Sequence, residues 1–329
     1  MKAITLHDVA KAAGVSVITA SRALSNPGRV SESTARRVQQ VAVEIGYTPN
    51  LLAGGLRARR SHTVAALLPE ISVSQFLPTL AALTEGLAAE GYQLILGQTG
   101  YDRAREDDLL DTMIGRRVDG IIATGLLMPR EEVKRRLIAS RIPVVETWDL
   151  SSNPFDMAVG FSHLKVGAAV AGFFLRKGWE RVGIATGSDQ RAEQRREGFL
   201  SAWGKDVPTA TVPAPSSVAL GRQALGRLLE QDPALQAVFC SADTLAEGVL
   251  TEARARGLRV PDDLAVCGFG GAEFCAHLLP SLTTVQVDGA GIARHAISML
   301  LQCIEGSRPA ENVVDIGFEI VERESTRRV

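Results

Sequence analysis

Residues 5–24, TLHDVAKAAGVSVITASRAL, constrain the fold of the N-terminal part of the chain more strongly than any other stretch. Thr5 is followed three residues later by Asp8, which is the spacing of a capping box at the start of a helix. Gly14 stands where a tight turn favours a residue without a side chain. Ser16 then provides the cap of a second helix. The pattern predicts a helix-turn-helix, although an ordinary helical hairpin has the same local features.

A third helix is predicted after the turn-rich segment SNPGRV. Ser31 is a favourable N-cap there, and Glu32 places a negative charge in the first turn, where the helix dipole favours it. The three helices would close a small domain over residues 1–48. Its core would be marginal in size for a domain that folds alone.

Residues 49–60 follow this domain and carry opposing signals. Asn50 can cap a helix and Leu56 is one of its apolar positions, but the adjacent Gly54 and Gly55 each cost about 1 kcal/mol against alanine. So short a helix does not hold in isolation. The segment is therefore predicted to be a hinge helix that becomes ordered only with a partner, or alternatively a plain linker.

The positive charge of the chain is concentrated in this N-terminal part. Residues 1–60 contain nine lysines and arginines against three acidic residues, a surplus of six. Since the whole chain has a net charge of −1, the remainder carries −7. A basic head on an acidic body indicates that only the head meets a polyanion such as DNA.

Residues 61–329 have a different hydropathy pattern, in which continuous apolar runs alternate with amphipathic stretches. Continuous runs are typical of strands that are covered on both faces, and the alternation predicts doubly wound parallel sheets with helices around them. Nine such strands fit two lobes better than one, with the break near Gly160. Because ligands of open parallel sheets bind beyond the carboxyl ends of the strands, a ligand cleft is expected between the lobes. The runs are 63–68, 92–97, 118–124, 142–148, 157–161, 181–187, 235–243, 264–270 and 282–288.

Several function classes lack their usual signals. No stretch reads as a signal peptide or a membrane span, and no P-loop, GxSxG motif or metal-ligand cluster appears. The four cysteines, at 240, 267, 275 and 303, form no CxxC pair and are expected to be reduced. We therefore expect a cytoplasmic protein without catalytic residues, metal or cofactor. A sugar-binding receptor or a nucleotide- or sugar-handling enzyme with the same type of body remain the alternatives.

The chain resembles the lac-repressor family of bacterial transcription regulators. The similarity runs through residues 5–57 and continues in the body at VDGII, PDDLAVCGF and SLTTV. It implies a DNA-binding headpiece, a hinge helix, a periplasmic-binding-protein-like effector domain, homodimerisation and a palindromic operator. One lobe of that effector domain would comprise residues 61–160 with 289–318, and the other residues 161–288 with 319–329.

A narrower resemblance, to the gluconate-utilisation repressors of that family, is carried by IPVVETWD, DMAVGF, VFCSAD, PDDLAVCGF and DIGF. It implies a sugar or a sugar acid as the small-molecule effector. The chain departs from the wider family at Gly270 and Gly271, where sugar-binding members often have an acidic residue. It also has Ala242 where an asparagine is usual. These departures argue against a simple neutral sugar.

The resemblance also implies which residues contact DNA. Arg22 can bind guanine through two hydrogen bonds, while Val17 and Ile18 can pack on thymine methyl groups or, alternatively, in the core. Short polar side chains suit phosphate contacts but are also capping residues. Leu56 would wedge a base step in the minor groove, or instead pack on the body. The full predicted set is Leu6, Ser16, Val17, Ile18, Thr19, Ser21, Arg22, Asn26, Ser31, Thr34, Tyr47, Asn50 and Leu56.

Five residues of the body are predicted to bind the effector. Gln75 and Phe76 follow the first strand, Glu146 and Asp243 end later strands, and Arg195 lies in the segment RREGF. Arg195 can pair with a carboxylate, which fits a sugar acid. For each of these residues, a salt bridge at the surface or at a strand end is the alternative.

Replacing Arg22 with alanine should weaken binding to the operator by about 1–3 kcal/mol and relax specificity at one base pair, because a bidentate contact to guanine is lost. Gel-shift titrations against operators substituted one base pair at a time measure this. An equal loss of affinity on every sequence would instead identify Arg22 as a phosphate contact.

Overall fold

The computed structural model describes residues 4–48 and 60–327. The chain divides into two compact units, Met1–His62 and Thr63–Val329. The helices of the described residues are α1 (Leu6–Ala12), α2 (Val17–Ser25), α3 (Glu32–Glu44), α4 (Leu77–Ala89), α5 (Arg103–Arg116), α6 (Glu131–Ser140), α7 (His163–Arg176), α8 (Gln190–Trp203), α9 (Val218–Gln231), α10 (Asp243–Ala255) and α11 (Gly289–Ile304).

The first unit contains the predicted helix-turn-helix. The backbone N–H and the hydroxyl group of Thr5 both donate to Asp8 Oδ2, at 2.8 and 2.7 Å, so the capping interaction at the start of α1 is formed. Gly14 adopts a φ of 65°, in the left-handed region that a side chain disfavours. The α1–α3 core is centred on the fully buried Val9, Ala20 and Val38.

The second unit contains two sheets of six strands each among the described residues. The first has the order β11-β5-β4-β3-β1-β2 and is parallel throughout; the second has the order β12-β10-β9-β8-β6-β7 and is parallel except for β12. The strands are β1 (Thr63–Leu68), β2 (Gln93–Gln98), β3 (Gly120–Thr124), β4 (Val144–Thr147), β5 (Met157–Gly160), β6 (Val182–Gly187), β7 (Thr209–Val212), β8 (Ala237–Cys240), β9 (Ala265–Gly270), β10 (Thr283–Gln286), β11 (Val313–Asp315) and β12 (Glu319–Val321).

Both faces of the first sheet are covered. On β1, Val64 and Ala66 pack into one apolar cluster while Ala65 and Leu67 pack into another. This is why the strand reads as a continuous apolar run rather than as an alternating pattern. The predicted α/β architecture is thereby confirmed: a helix-turn-helix is followed in the chain by doubly wound sheets. The predicted hinge helix falls almost wholly on residues 49–59, which lie outside the described part of the chain.

The chain passes between the two sheets three times: after β5, after β10 and after β11. We call residues 63–160 with α11 and β11 the first lobe, and residues 163–286 with β12 the second lobe. A continuous apolar cluster joins them, with Trp148 and Phe161 packed edge to face at 6.0 Å and Phe161 next to Phe269 at 6.1 Å. The two lobes therefore share one core at their junction.

Three strands were absent from the sequence prediction: β7, β11 and β12. Each lies at the edge of its sheet and is only three or four residues long. Val313 and Val314 of β11 and Ile320 and Val321 of β12 are half-buried. Edge strands of this kind do not produce the continuous apolar runs on which the prediction depended.

Within residues 4–48 and 60–327, no helix combines the length and the apolar character needed to cross a membrane.

Two helices of the second lobe cross at glycines. A Cβ atom added to Gly198 of α8 would lie 2.0 Å from the backbone oxygen of Leu164, and one added to Gly167 of α7 would lie 1.9 Å from the backbone oxygen of Arg195. These helices therefore approach closely because neither position has a side chain. The crossing also fixes α8, on which Arg195 lies.

Gly198→Ala should destabilise the body by about 1–3 kcal/mol, because overpacking forces α7 and α8 apart. Gly115→Ala is the matched control: Gly115 is a helical glycine whose added Cβ meets nothing within 4 Å. That variant should gain about 0.5–1 kcal/mol. Urea unfolding of both variants measures these differences, and a Gly198→Ala protein as stable as wild type would contradict the close crossing.

Candidate functional site

The predicted DNA-reading helix, α2, exposes one face. Ile18 is 63% exposed and Arg22 is also exposed, one turn apart on that face. Val17 is half-buried and packs against the core of the unit, as do Leu6 and Tyr47. Ile18 and Arg22 are thus available to bases, whereas base contacts by Val17 stay a prediction.

The short polar residues of the predicted DNA interface mostly cap helices. Ser16 Oγ accepts from the backbone N–H of Thr19 at 3.1 Å, and Ser31 Oγ accepts from that of Thr34 at 3.4 Å. These four residues also make hydroxyl contacts of 2.8 Å within each pair. Helix capping is therefore sufficient to explain why polar residues occur at these positions. Contacts between these residues and phosphates stay a prediction. Ser21 is half-buried and Asn26 is exposed, while Asn50 and Leu56 lie outside the described residues.

A cleft with a volume of about 130 Å³ opens between the two lobes of the body. Its wall in the first lobe includes Tyr101, Glu106 and Asp149, and its wall in the second lobe includes Asp189 and Arg191. The cleft lies beyond the carboxyl ends of the strands, where parallel sheets bind ligands. Both cationic and anionic side chains from different lobes therefore face one small space.

Beneath the cleft, a buried hydrogen-bond chain joins the lobes. Arg195 Nη1 donates to His163 Nδ1 at 2.8 Å, and His163 Nε2 donates to the backbone oxygen of Trp148 at 2.9 Å. Because arginine only donates, His163 must carry its proton on Nε2. Burial, with the positive charge of Arg195 as a second cause, holds the pKa of His163 well below its usual value, so the ring is neutral.

Arg195 itself is 4% exposed and has no carboxylate partner at hydrogen-bond distance within the described residues. Its Nη2 donates to the backbone oxygen of Ser241 at 3.0 Å, and its guanidinium lies 4.0 Å from the ring centre of Phe269. Its Nε has no hydrogen-bond partner there. Burial lowers the pKa of Arg195 to about 10, which leaves it cationic at neutral pH.

Asp149 and Arg191 face each other across the cleft. Arg191 Nε lies 3.9 Å from Asp149 Oδ2, a long contact, and His163 Nε2 lies 3.5 Å from Asp149 Oδ1. Burial raises the pKa of Asp149 to about 6. Arg191 Nη1 is buried and has no hydrogen-bond partner in the described part of the chain. The opposing lobes thus present a cation and a carboxylate that do not satisfy each other.

Two of the predicted effector residues are engaged inside the protein. Glu146 accepts from the backbone N–H groups of Leu127 at 2.5 Å and Phe155 at 3.0 Å. Asp243 accepts from Thr284 Oγ1 at 2.5 Å and from the backbone N–H of Ala272 at 2.8 Å. Burial raises the pKa of both carboxyl groups, and these hydrogen bonds oppose the shift. Direct contacts between these residues and an effector stay a prediction.

Gln75 and Phe76 lie at the junction of the lobes. Phe76 is buried against Trp148, with ring centres 5.0 Å apart, and the guanidinium of Arg191 lies 5.4 Å from its ring centre. A Cβ atom added to Gly270 would lie 3.2 Å from Gln75 Cβ. Gln75 therefore occupies the space beside Gly270, where an acidic side chain would not fit without rearrangement.

The predicted effector residues form the layer behind the cleft wall, and the wall residues themselves were missed. Phe76, Glu146, Arg195 and Asp243 are all at least 96% buried. The signal that would have located Arg191 is its position one turn before Arg195 on the same helix. Asp149 directly follows the residue that ends the fourth predicted strand run. Tyr101 lies in the loop before α5, and Glu106 lies in the first turn of that helix. The sequence there carries no such signal.

A helix-turn-helix unit followed in the chain by a two-lobed body with a polar cleft is the architecture of a transcription regulator. Residues 5–50 match the family model for "Bacterial regulatory proteins, lacI family". Residues 171–326 match the family model for "Periplasmic binding protein-like domain". The HTH-type transcriptional regulator GntR of Pseudomonas aeruginosa is 38% identical, over 98% of this chain and 95% of its own. The chain belongs to the lacI family and is a DNA-binding transcriptional regulator.

Solved structures agree with this assignment. A Lacl family regulator from Silicibacter pomeroyi covers 99% of this chain and 100% of its own, with a TM-score of 0.92 and 32% identity. The regulator GntR from Chromobacterium violaceum covers 80% of this chain and 99% of its own, with a TM-score of 0.77 and 35% identity. The GntR relatives also agree with the narrower resemblance in the sequence.

His163→Gln should change the pH dependence of stability. The folded pKa of His163 lies well below 6.5, the value in the unfolded chain, so acidification below pH 6.5 protonates only the unfolded state. Wild type should therefore lose up to about 1.4 kcal/mol per pH unit relative to the variant below that pH, and nothing above it. Urea unfolding between about pH 8 and about pH 5 measures the difference.

His295→Gln is the control, because His295 is exposed on α11. It should keep the pH dependence of wild type. If wild type and His163→Gln showed parallel stability curves, His163 would not be held neutral in the folded protein.

Proposed function

We propose that this protein is a dimeric repressor whose affinity for a palindromic operator is controlled by a sugar acid of the gluconate type. The N-terminal unit supports DNA binding, because α2 exposes Ile18 and Arg22 on one face. Dimerisation and a palindromic site follow from the family resemblance. The protein would act in the cytoplasm, where its operator DNA is found, and no catalytic step belongs to this proposal.

The effector class rests on one observation, which is the unsatisfied cationic nitrogen of Arg191 in the cleft. Its Nη1 is buried without a hydrogen-bond partner in the described residues, and the Nε of the same side chain lies 3.9 Å from Asp149 Oδ2. Buried cationic donors of this kind favour a carboxylate ligand. Asp149 of the first lobe and Asp189 of the second lobe line the same cleft and are acceptors suited to hydroxyl groups. A sugar acid carries both functional groups.

The test is operator binding with and without gluconate. Fluorescence anisotropy with DNA from upstream of the protein's own gene should show that gluconate changes the affinity by at least about fivefold, which is the lower end of typical allosteric coupling. Sorbitol, which has hydroxyl groups but no carboxylate, should have no effect. Gluconate should also raise the unfolding temperature, because a ligand that binds only the folded state stabilises it.

Arg191→Gln should bind the same DNA as wild type but lose the response to gluconate. The proposed effector class would be wrong if gluconate and related sugar acids neither stabilised wild type nor changed its operator affinity. Loss of DNA binding by Arg191→Gln would show that the substitution acts beyond the cleft.

A further inference from the structure

The cleft wall contains several carboxylates, and they differ in what they contact. Asp102 accepts from the backbone N–H of Ala104 at 2.9 Å, and Asp189 accepts from that of Ala192 at 3.1 Å. Asp149 contacts both His163 and Arg191. These three carboxylates are thus held by the protein before any ligand arrives.

Glu106 is different. It lies in the first turn of α5, half-buried, and among the described residues its carboxylate has no hydrogen bond or ion pair. Burial and the charge of Asp107 raise its pKa to about 7, and the positive charges of Arg103 and Arg191 only partly oppose this. Keeping a carboxylate in this position costs free energy unless something else contacts it.

The neighbouring charged residues on α5 make contacts of their own and do not pair with the carboxylate of Glu106. Asp107 accepts from the backbone N–H of Arg130 at 3.2 Å and from its Nε at 2.7 Å, which ties α5 to the start of α6. Arg103 Nη2 lies 3.7 Å from Met128 Sδ. Glu106 therefore has no structural task that is visible in the described residues, yet it faces the cleft.

We propose that Glu106 is a specificity-determining residue, which accepts hydrogen bonds from the hydroxyl groups of the effector at the end remote from its carboxylate. This inference rests on the proposed function, because it assumes that Arg191 takes the carboxylate end. The ligand then lies between a cation of the second lobe and an anion of the first.

This arrangement selects between closely related acids. A sugar acid with one carboxylate presents hydroxyl donors to Glu106. A sugar diacid presents a second carboxylate there, and two like charges at that position repel each other. Specificity of this kind comes from penalising the wrong ligand as well as from contacting the right one. The cleft should therefore prefer gluconate to glucarate, which differs only in having a carboxylate at the other end.

The experiment is calorimetric titration of the full-length protein with gluconate and glucarate at about pH 8.5, where the carboxyl group of Glu106, whose pKa is about 7, is ionised. Wild type should bind gluconate more tightly. Glu106→Gln should weaken gluconate binding about tenfold, because a charge-assisted hydrogen bond becomes a neutral one. The same variant should bring the two affinities at least about tenfold closer, because the repulsion is removed. Since the carboxylate of Glu106 makes no hydrogen bond to the described residues, the unfolding temperature without ligand should not fall.

Asp108→Asn is the matched control, because Asp108 is an exposed acid on the same helix and outside the cleft wall. It should leave both affinities within about twofold of wild type. Glu106→Asp keeps the charge and should keep the preference for gluconate, so the inference can be tested even if the glutamine variant folds poorly.

The outcomes separate the two proposals. If wild type binds gluconate and Glu106→Gln leaves the ratio of the two affinities unchanged, the role of Glu106 is overturned and the proposed function stands. If wild type binds neither acid, the proposed effector class fails, and the role of Glu106 with it.

Discussion

The site depends on a buried cation, Arg195. Burying a guanidinium with no carboxylate at hydrogen-bond distance among the described residues is costly, and the protein compensates with a neutral imidazole, a backbone carbonyl and an aromatic face. His163 can accept from Arg195 only because its own pKa is held low; a protonated ring would place a second charge in the same space. The neutrality of His163 and the burial of Arg195 therefore depend on each other.

The same imidazole connects the two lobes. Through its Nε2 it reaches the carbonyl of Trp148, a residue with a φ of 69° in the left-handed region that an aromatic residue rarely adopts. Trp148 Nε1 continues the chain to Thr79 Oγ1 at 3.0 Å. Strain of this kind persists only where surrounding contacts hold it, and it often marks a functional site. Here it brings Asp149 to the cleft immediately after a buried, fully hydrogen-bonded residue.

The sequence predicted the architecture because the physical signals were local. Capping at Thr5 and Ser16, the turn at Gly14 and the alternation of apolar runs with helices each need only a few adjacent residues. The short edge strands were not predicted because segments of three or four residues, each with at least one exposed residue, carry little apolar signal. The family resemblance added the residue ranges of the lobes and the predicted DNA-contact set, of which Ile18 and Arg22 are exposed.

The cleft wall could not be predicted in the same way. Glu146 and Asp243 were selected because they end predicted strands, yet in the structure their carboxylates accept hydrogen bonds from backbone N–H groups of loops. Wall residues such as Glu106 come from loops and exposed helix turns, where polar residues are common. Only the three-dimensional arrangement shows that Glu106 lacks a partner while Asp107 beside it has one.

The incomplete pairing of a cation from one lobe with a carboxylate from the other bears on how a ligand would regulate this protein. Arg191 and Asp149 come from opposite lobes and remain 3.9 Å apart, so neither fully neutralises the other. A carboxylate that approaches Arg191 competes with Asp149, whose raised pKa already shows that its charge is poorly stabilised. Hydroxyl groups on the same ligand can donate to Asp149 and offset that loss. For the proposed sugar-acid effector, we therefore expect the tightest binding when the lobes are close together. The difference in its affinity between lobe arrangements would be the free energy available to change DNA binding.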